Sequence, residues 1–287
     1  MHTTPRLSIV VPVGSSIEAF EATLLSVLEN RPDGCEILVC HDGSYDDPFA
    51  LGDEVRFVTS DSRGLIDSIA AGCDAAWGRY VHVIANGVQA TAGWSDAAMN
   101  EFADFSIGAV APVANQGDRT TGGWIDRASA RMSDAEGTEM NRPSTPGRAC
   151  GSHLHMSFWR RELLRSLTRS CVSDDVTIAQ YAFAVMARQN GWRCKVADKS
   201  RVHVETIRLA ESPRQRAAKL EGVARALRGT TAMQMLVRSA KNLIGGGGIA
   251  ASIGMVTEAV KPSVDRRWFE SANVQTLETY QEVRRAA

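Results

Sequence analysis

LSIVVPV, residues 7–13, is a short run in which nearly every side chain is apolar and several are β-branched. A continuous apolar run of this length is typical of a strand that is covered on both faces, as in a parallel sheet. Pro12 stands near its end, where a missing ladder donor is tolerated, and Gly14, Ser15 and Ser16 follow as a turn. The run therefore predicts the first central strand of a parallel sheet.

Strand and helix patterns alternate after this run, with short links between them. Such alternation predicts right-handed β-α-β units, whose ligands gather at the carboxyl ends of the strands. The further predicted strands are 35–40, 55–58, 80–84, 153–158, 193–197 and 201–204, and an apolar stretch covers 107–113. The predicted helices are 17–28, 65–77, 94–102, 161–167 and 176–189.

The segment 114–149 is polar and rich in Gly, Arg, Thr and Ser, which predicts a long loop. Loops of this length are lids, binding elements or disordered insertions, and the sequence leaves these alternatives open. After Glu205 helical spacing appears in 217–227 and 233–243, and a polar helix is predicted from Val274. We predict an α/β domain over 1–205 and a helical C-terminal extension over 206–287.

The charges of the 287 residues nearly cancel, with 32 basic and 33 acidic side chains and a net charge of -1. No general phosphate attraction follows, so no nucleic-acid partner is expected. No apolar run reaches the roughly 20 residues that span a bilayer, and the first six residues lack a signal-peptide layout, so we expect a cytoplasmic protein. The extension has a basic helical face, which is either solvated or a contact with anionic lipid or a second subunit.

The six cysteines are widely spaced and include no C-x-x-C pair. A zinc knuckle or a redox centre is therefore not indicated, and buried reduced thiols are predicted.

EILVCHDGSYD, residues 36–46, together with residues 7–13, resembles the inverting family-2 glycosyltransferases. The first segment is similar to that family's second strand and its Asp-Asp-Gly-Ser-x-Asp loop, with His41 in place of the first aspartate. The second is similar to its opening strand, and the resemblance covers about residues 7–204. It implies the GT-A fold, an α/β architecture with a mostly parallel central sheet flanked by helices. It also implies a nucleotide-diphospho-sugar donor and a carbohydrate acceptor.

The resemblance places Pro12, Val13, Asp42, Gly43 and Ser44 at the donor nucleotide. A strand-end carboxylate such as Asp42 accepts hydrogen bonds from uracil or ribose groups, and Gly43 lets the backbone turn closely beside a ligand. The alternative is an Asp-Gly turn in which the carboxylate is satisfied by its own backbone.

The turn Ala85-Asn86-Gly87 replaces the family's Asp-x-Asp motif, whose carboxylates bind a divalent ion against the donor diphosphate. The resemblance implies Mg²⁺ or Mn²⁺ as a cofactor, but neither flanking position retains the oxygen ligands that such ions require. Asn86 is a candidate for binding ribose or phosphate, and a turn-forming Asn-Gly explains it equally well. The chain also departs from the family at Gly14, where the family often has tyrosine, and at Ala70, where it has asparagine.

Asp175 is the candidate catalytic base, because Asp174-Asp175 resembles the family's Glu-Asp motif, in which the second acid has that role. An inverting transfer needs a carboxylate to remove the proton of the acceptor hydroxyl as its oxygen attacks the anomeric carbon. The alternative is helix capping, for which aspartate is also suited.

His203 resembles the family's late histidine, which contacts the metal or the diphosphate. The alternative is a satisfied core histidine on an apolar strand. His153 and His155 alternate on a predicted strand and form a further candidate metal pair, without a marked third ligand.

These residues predict a glycosyltransferase that transfers a sugar from a nucleotide-diphospho-sugar to a glycan or other hydroxyl acceptor with inversion. The alternative is a catalytically inactive glycosyltransferase-like protein for binding or assembly. A nucleotidyltransferase fits less well, since it requires a basic phosphate loop after the first strand and Gly14, Ser15 and Ser16 include no basic residue.

Overall fold

The computed structural model describes residues 4–116, 119–127, 131–134, 150–204, 212–244, 248–269 and 274–286. The strands are β1 Leu7–Pro12, β2 Cys35–His41, β3 Arg56–Thr59, β4 Tyr80–Val83, β5 Val88–Ala90, β6 Ile107–Gln116, β7 Arg119–Thr121, β8 Trp124–Arg127, β9 Arg131–Asp134, β10 Cys150–Gly151, β11 Phe158–Arg160 and β12 Arg193–Val204. The helices are α1 Ile17–Glu29, α2 Leu65–Ala75, α3 Asp96–Glu101, α4 Arg161–Ser170, α5 Val176–Gln189, α6 Pro213–Arg228, α7 Ala232–Ile244, α8 Ile249–Val260 and α9 Leu277–Ala286.

The main sheet has nine strands in the order β3-β2-β1-β4-β11-β6-β12-β5, with β7 paired to β6. Strands β1, β2, β3 and β4 pair in parallel, as do β6 and β12. Because β11 is antiparallel to both β4 and β6, these two groups run in the same direction. Six of the nine strands therefore share one direction, which confirms the mostly parallel sheet. A second sheet pairs β10, β8 and β9.

Helices cover both faces of the sheet, so the central strands are buried on both sides. All six residues of β1 are buried, with Ile9 and Val11 in one core cluster and Val10 in the other. The first cluster includes Phe20 of α1, and the second includes Ile69 of α2 with residues of α4 and α5. Alternation of side chains along a strand produces this division, and it explains why the apolar run is continuous.

Two of the sequence predictions in the second half of the sheet are wrong. Instead of a strand over 153–158, the chain forms a 3-10 turn at Leu154–Met156 and then β11. The backbone closes locally here, because the Met156 N–H donates to the His153 carbonyl at 3.1 Å. The two predicted strands 193–197 and 201–204 are one strand, β12, whose register against β6 shifts between Ala197 and Arg201.

The segment 114–149 is not a loop throughout. Strand β6 continues to Asn115 through its pairing with β12 and to Gln116 through its pairing with β7, and β8 and β9 follow within the described residues. Polar side chains do not prevent strand formation where the backbone finds partners on neighbouring strands. Residues 135–149 lie outside the described part of the chain.

The C-terminal extension begins with α6, whose first turn carries a capping box between Ser212 and Gln215. Leu220 and Val223 of this helix belong to the same core cluster as α5. Helix α8 was missing from the sequence prediction, and α9 begins at Leu277 rather than Val274. No helix in the described ranges has the length and apolar character required to traverse a bilayer.

The predicted reduced thiols are confirmed for the five cysteines whose side chains are described, since none of these five forms a disulfide. Four of them, Cys35, Cys40, Cys73 and Cys171, are buried. Burial raises the pKa of Cys40 to about 12 and that of Cys171 to about 11. These thiols therefore stay protonated and serve as packing groups.

His82 is a buried polar residue in the middle of β4. Its ring stacks on Phe158, with 3.7 Å between the ring centroids. Burial lowers the pKa of His82 to about 3 from its ordinary value of 6.5. Between these values the unfolded chain binds the proton and the folded chain does not, so stability decreases as the pH falls below about 6.5.

Replacing the histidine, as in His82→Phe, should remove this pH dependence. From about pH 7.5 to about pH 5, the wild type should lose about 2 kcal/mol more of its free energy of unfolding than the variant loses. Urea unfolding of both proteins at the two pH values measures the difference. Equal losses in the two proteins would contradict a neutral, buried His82.

Candidate functional site

The carboxyl ends of the same-direction strands meet at one edge of the main sheet, and the candidate residues follow these ends. Val13 comes directly after β1 and its N–H donates to the Cys40 carbonyl at 2.9 Å. Asp42 comes directly after β2, and Asn86 lies in the turn after β4. The fold therefore brings three predicted donor-binding segments to the same edge, as parallel strands require.

Asp42 lies in a tight turn and is engaged by three donors. Its carboxylate accepts from the Ser44 N–H at 3.2 Å, from the Ser44 hydroxyl, and from Arg63 Nε at 3.0 Å. Gly43 has a φ of +87°, a conformation that favours glycine. The Ser44 hydroxyl and Arg63 lower the pKa of Asp42 below its usual range, so this carboxylate is ionised at neutral pH.

An aromatic cluster lies beneath this turn. Tyr45 is buried and its ring contacts Phe20 edge-on at 5.1 Å and Phe57 at 6.2 Å between centroids. The ring of His41 approaches Phe57 at 5.9 Å. Because Tyr45 follows Ser44 directly, its burial fixes the turn that carries Asp42 against α1 and β3.

Asn86 connects the turn after β4 to the loop after β1. Its side-chain amide donates to the Val13 carbonyl at 2.8 Å and to the Ser16 carbonyl at 3.0 Å. The Asn86 Oδ1 atom is buried and has no hydrogen-bond partner within the described residues. The amide nitrogen is therefore used by the backbone, and the amide oxygen is enclosed by the protein without a partner among the described residues.

The residues of this turn do not fit a divalent ion. Ala85 and Gly87 have no side-chain ligand atoms, and the Asn86 amide provides a single oxygen. Within the ranges that the structure describes, no group of three His, Cys, Asp or Glu side chains is arranged to bind a metal. A hard cation requires several oxygen ligands, so no reaction step is assigned here to a metal.

Asp175 is the N-cap of α5, as the capping alternative predicts. Its Oδ1 accepts from the Ile178 N–H at 3.1 Å, and its Oδ2 forms an ion pair with Lys219 of α6. The carboxylate is still partly exposed, with 28% of its side-chain surface accessible. The cap fixes its orientation, and the second oxygen faces a cation from the C-terminal extension.

Asp175 lies toward the same edge of the sheet as the donor residues. Helix α5 ends just before Arg193, which pairs with Ile107 at the start of β6. The helix therefore runs from the carboxyl edge of the strands to the amino edge, and its N-terminus lies at the carboxyl edge. Gln180, in the second turn of α5, accepts from the Leu154 N–H at 3.1 Å.

The segment around Leu154 connects α5 to the turn after β4. The Ala85 N–H donates to the His155 carbonyl at 2.8 Å. The rings of His153 and His155 stack with 5.3 Å between their centroids, so this pair lies beside the turn that replaces the acidic motif. Neither has a third metal-binding side chain beside it among the described residues.

His203 lies on β12 opposite Gln89 of β5 and Asn115 of β6. Its side chain is exposed, unlike the buried Val202 and Val204 on either side. The core-histidine alternative is therefore wrong, because alternation along the strand turns His203 away from the core. Gln89 is three residues beyond Asn86, which places His203 near the far end of the same turn.

The sequence patterns did not predict two functional candidates, Arg63 and Lys219. Arg63 directly precedes Gly64, the N-cap of α2, and it contacts Asp42 because β2 and β3 are neighbours in the sheet. Arg63 follows β3 in the sequence, and this position alone indicates that it lies at the carboxyl edge of the sheet. No sequence signal links Lys219 to Asp175, since the two residues are 44 positions apart.

Comparison with solved structures identifies the architecture. A crystal structure of GalNAc-T7 with UDP, GalNAc and Mn²⁺ has a TM-score of 0.58 and 13% sequence identity, and the match covers 98% of this chain. The chain spans 56% of the length of that protein. The mannosyltransferase PcManGT from Pyrobaculum calidifontis, in complex with GDP-Man and Mn²⁺, gives a TM-score of 0.48 and 18% identity over 99% of this chain and 80% of that one.

The similarity to GalNAc-T7 confirms the predicted GT-A fold. At 13% sequence identity this similarity establishes the fold alone. No family model matches the chain, and no curated protein matches it.

The connection made by Asn86 can be tested by truncation. Asn86→Ala removes two hydrogen bonds and should lower the free energy of unfolding by about 1–2 kcal/mol. The matched control is Asn100→Ala, at an exposed asparagine on α3. Thermal and urea unfolding of the two variants measure the effect. Equal stabilities would show that the Asn86 amide does not fix the loop after β1.

Proposed function

We propose that this chain is an inverting glycosyltransferase of the family-2 type that uses a nucleotide-diphospho-sugar donor. Its acceptor is a hydroxyl group of a glycan or of another molecule. The observation that carries this proposal is the meeting of Val13, the Asp42 turn and Asn86 at one carboxyl edge of a GT-A sheet. The GalNAc-T7 structure, which shares this fold, contains UDP and GalNAc.

The donor nucleotide lies across Pro12 and Val13 and over the Asp42 turn. Asp42 accepts hydrogen bonds from the base or the ribose, since it is ionised and lies at a strand end. Arg63 positions this carboxylate through its Nε contact and brings a cation to the carboxyl edge of the sheet. Gly43 and Ser44 complete the turn, and the unpaired, buried Asn86 oxygen accepts from a ribose hydroxyl when the donor reaches it.

Asp175 is the base of the transfer step. Its carboxylate removes the proton of the acceptor hydroxyl while the oxygen attacks the anomeric carbon from the side opposite the diphosphate. The bond between that carbon and the diphosphate oxygen breaks, and the nucleoside diphosphate leaves. Lys219 positions Asp175 from outside the sheet and must yield some of this contact when the acceptor binds.

The leaving diphosphate needs cations, and the turn after β4 lacks the carboxylates that bind a metal in the family. The GalNAc-T7 structure contains Mn²⁺, and a dependence on Mg²⁺ or Mn²⁺ is the expectation from the family. In this chain Arg63 contacts Asp42 of the donor loop, and His203 and the His153–His155 pair lie beside the turn. We assign charge stabilisation to the Arg63 guanidinium, with hydrogen bonds from these histidines.

A catalytically inactive protein that binds the nucleotide sugar, or serves in assembly, is the second candidate. Two observations favour it. The turn at Ala85 has no acidic ligands, and Asp175 is already engaged by a helix N-terminus and by Lys219. Binding and turnover must therefore be measured separately.

The donor site predicts binding of UDP or GDP by calorimetry, with and without Mn²⁺. Asp42→Asn should weaken that binding about tenfold or more, because an ionised acceptor at the base or ribose is lost. The control is Asp53→Asn. Asp53 is an exposed acid that precedes β3, so it lies away from the carboxyl edge of the sheet. If neither nucleotide binds under any condition, or if both variants bind as the wild type does, the donor site is not where we place it.

The base role predicts a loss of turnover in Asp175→Asn of about a hundredfold or more, with nucleotide affinity unchanged. Asparagine is also a good N-cap, so the helix should be retained. Asp174→Asn is the matched control, since Asp174 is the exposed neighbour. Donor hydrolysis and transfer rates are the measurements. Equal rates in wild type and Asp175→Asn would remove Asp175 from the base role, and binding without turnover in the wild type would favour the inactive protein.

A further inference from the structure

Helices α7 and α8 of the C-terminal extension expose an apolar surface that the proposed reaction does not use. More than half of the large apolar side chains exposed in the described residues lie on these two helices. On α8 the exposed side chains are Ile249, Ile253, Val256 and Val260, at the spacing of one helix face. We call this surface, with its counterpart on α7, the hairpin face.

On α7 the hairpin face is formed by Met233, Leu236, Val237, Leu243 and Ile244. A groove of about 460 Å³ runs between the helices and is lined by Leu243 together with the exposed side chains of α8. Ile244 is the last residue of α7 and Ile249 the first of α8, and their side chains are 89% and 70% exposed. An apolar surface of this extent marks a contact with a partner or a membrane.

The opposite side of the hairpin is fixed to the rest of the protein by polar contacts. Asn242 Nδ2 donates to Ser252 Oγ at 2.8 Å, and this links α7 to α8. Arg238 of α7 forms an ion pair with the buried Glu221 of α6. Glu258 of α8 is 1% exposed and forms an ion pair with Arg225 of α6. These contacts attach one side of the two helices to α6, and the hairpin face lies on the other side.

The charge that remains on the outside is positive. Glu258 is the one acidic residue of 229–262, and its carboxylate is buried and paired. Lys241 and Lys261 are exposed, and Lys261 lines the groove beside the apolar side chains. Lysines beside exposed apolar residues match the surface of an anionic bilayer, where headgroups meet acyl chains.

We propose that the hairpin face docks on an anionic lipid bilayer. Ile244 and Ile249 enter the boundary between headgroups and acyl chains, and Lys241 and Lys261 contact the anionic headgroups. Helices of 13 and 12 residues measure about 20 Å and cannot cross the roughly 30 Å hydrocarbon layer, so they lie along it. A second copy of the chain fits less well, because two identical faces would bring lysines toward lysines.

Flotation of the full-length chain with vesicles tests the proposal. The wild type should bind vesicles with about 30 mol% phosphatidylglycerol and should bind pure phosphatidylcholine much more weakly. Ile244→Ser/Ile249→Ser should lower the partition coefficient about tenfold or more, because two apolar side chains no longer enter the bilayer. Lys241→Glu/Lys261→Glu should lower the partition coefficient by a similar factor. Added salt should also weaken the binding of the wild type, because it screens the attraction between lysines and anionic headgroups.

The matched control is Val172→Ser/Val283→Ser, which removes two apolar side chains of comparable exposure, 70% and 60%, outside the hairpin face. It should bind vesicles as the wild type does, and circular dichroism should show that all variants are folded. Failure of the wild type to bind anionic vesicles, or equal binding by all variants, overturns the proposal. A dimer in sedimentation velocity that Ile244→Ser/Ile249→Ser converts to monomer, without vesicle binding, would assign the face to a second copy instead.

Discussion

Backbone hydrogen bonding on both sides of β1 is the constraint on which the rest of the structure depends. Each residue of β1 is buried, so its N–H and C=O groups need partners within the protein. Strands β2 and β4 supply them, with Leu7 opposite both Cys35 and Tyr80. This parallel register places the ends of all three strands together. The positions of the Asp42 turn and the Asn86 turn follow from it, whatever ligand they bind.

Helix α6 connects the candidate site with the hairpin face. It contributes Lys219 to Asp175, Glu221 to Arg238 of α7, and Arg225 to Glu258 of α8. Glu221 and Glu258 are buried, and a buried carboxylate that loses its partner is strongly destabilising. The hairpin is thus attached to a helix that also contacts the proposed base. The hairpin and the proposed base therefore contact the same helix within two turns of one another.

The sequence predicts the parts of this molecule that depend on local pattern. Strand β1 and the turn at Asp42 are examples, since a buried strand and an Asp-Gly turn each have a signal within a few residues. The ion pair of Asp175 with Lys219 has no such signal, because tertiary packing alone brings α6 to α5. Helix α8 was missed for a related reason. It follows a run of four glycines, a composition typical of a turn or linker rather than of a helix start.

Gly14 and Asn86 are best understood as one structural feature rather than two separate losses. Gly14 has a φ of +56°, and a Cβ atom at this position would lie 2.6 Å from Asn86 Nδ2. A side chain at residue 14 and the contacts of Asn86 with Val13 and Ser16 therefore exclude each other. The family resemblance gives tyrosine at the first position and an acidic motif at the second. In this chain Ala85 and Gly87 stand where that family has its acids, and the Asn86 amide between them binds the first loop directly, so the absence of a side chain at Gly14 is a condition of that contact. The turn is a connection between two loops, and any donor that binds there meets an edge fixed by protein hydrogen bonds.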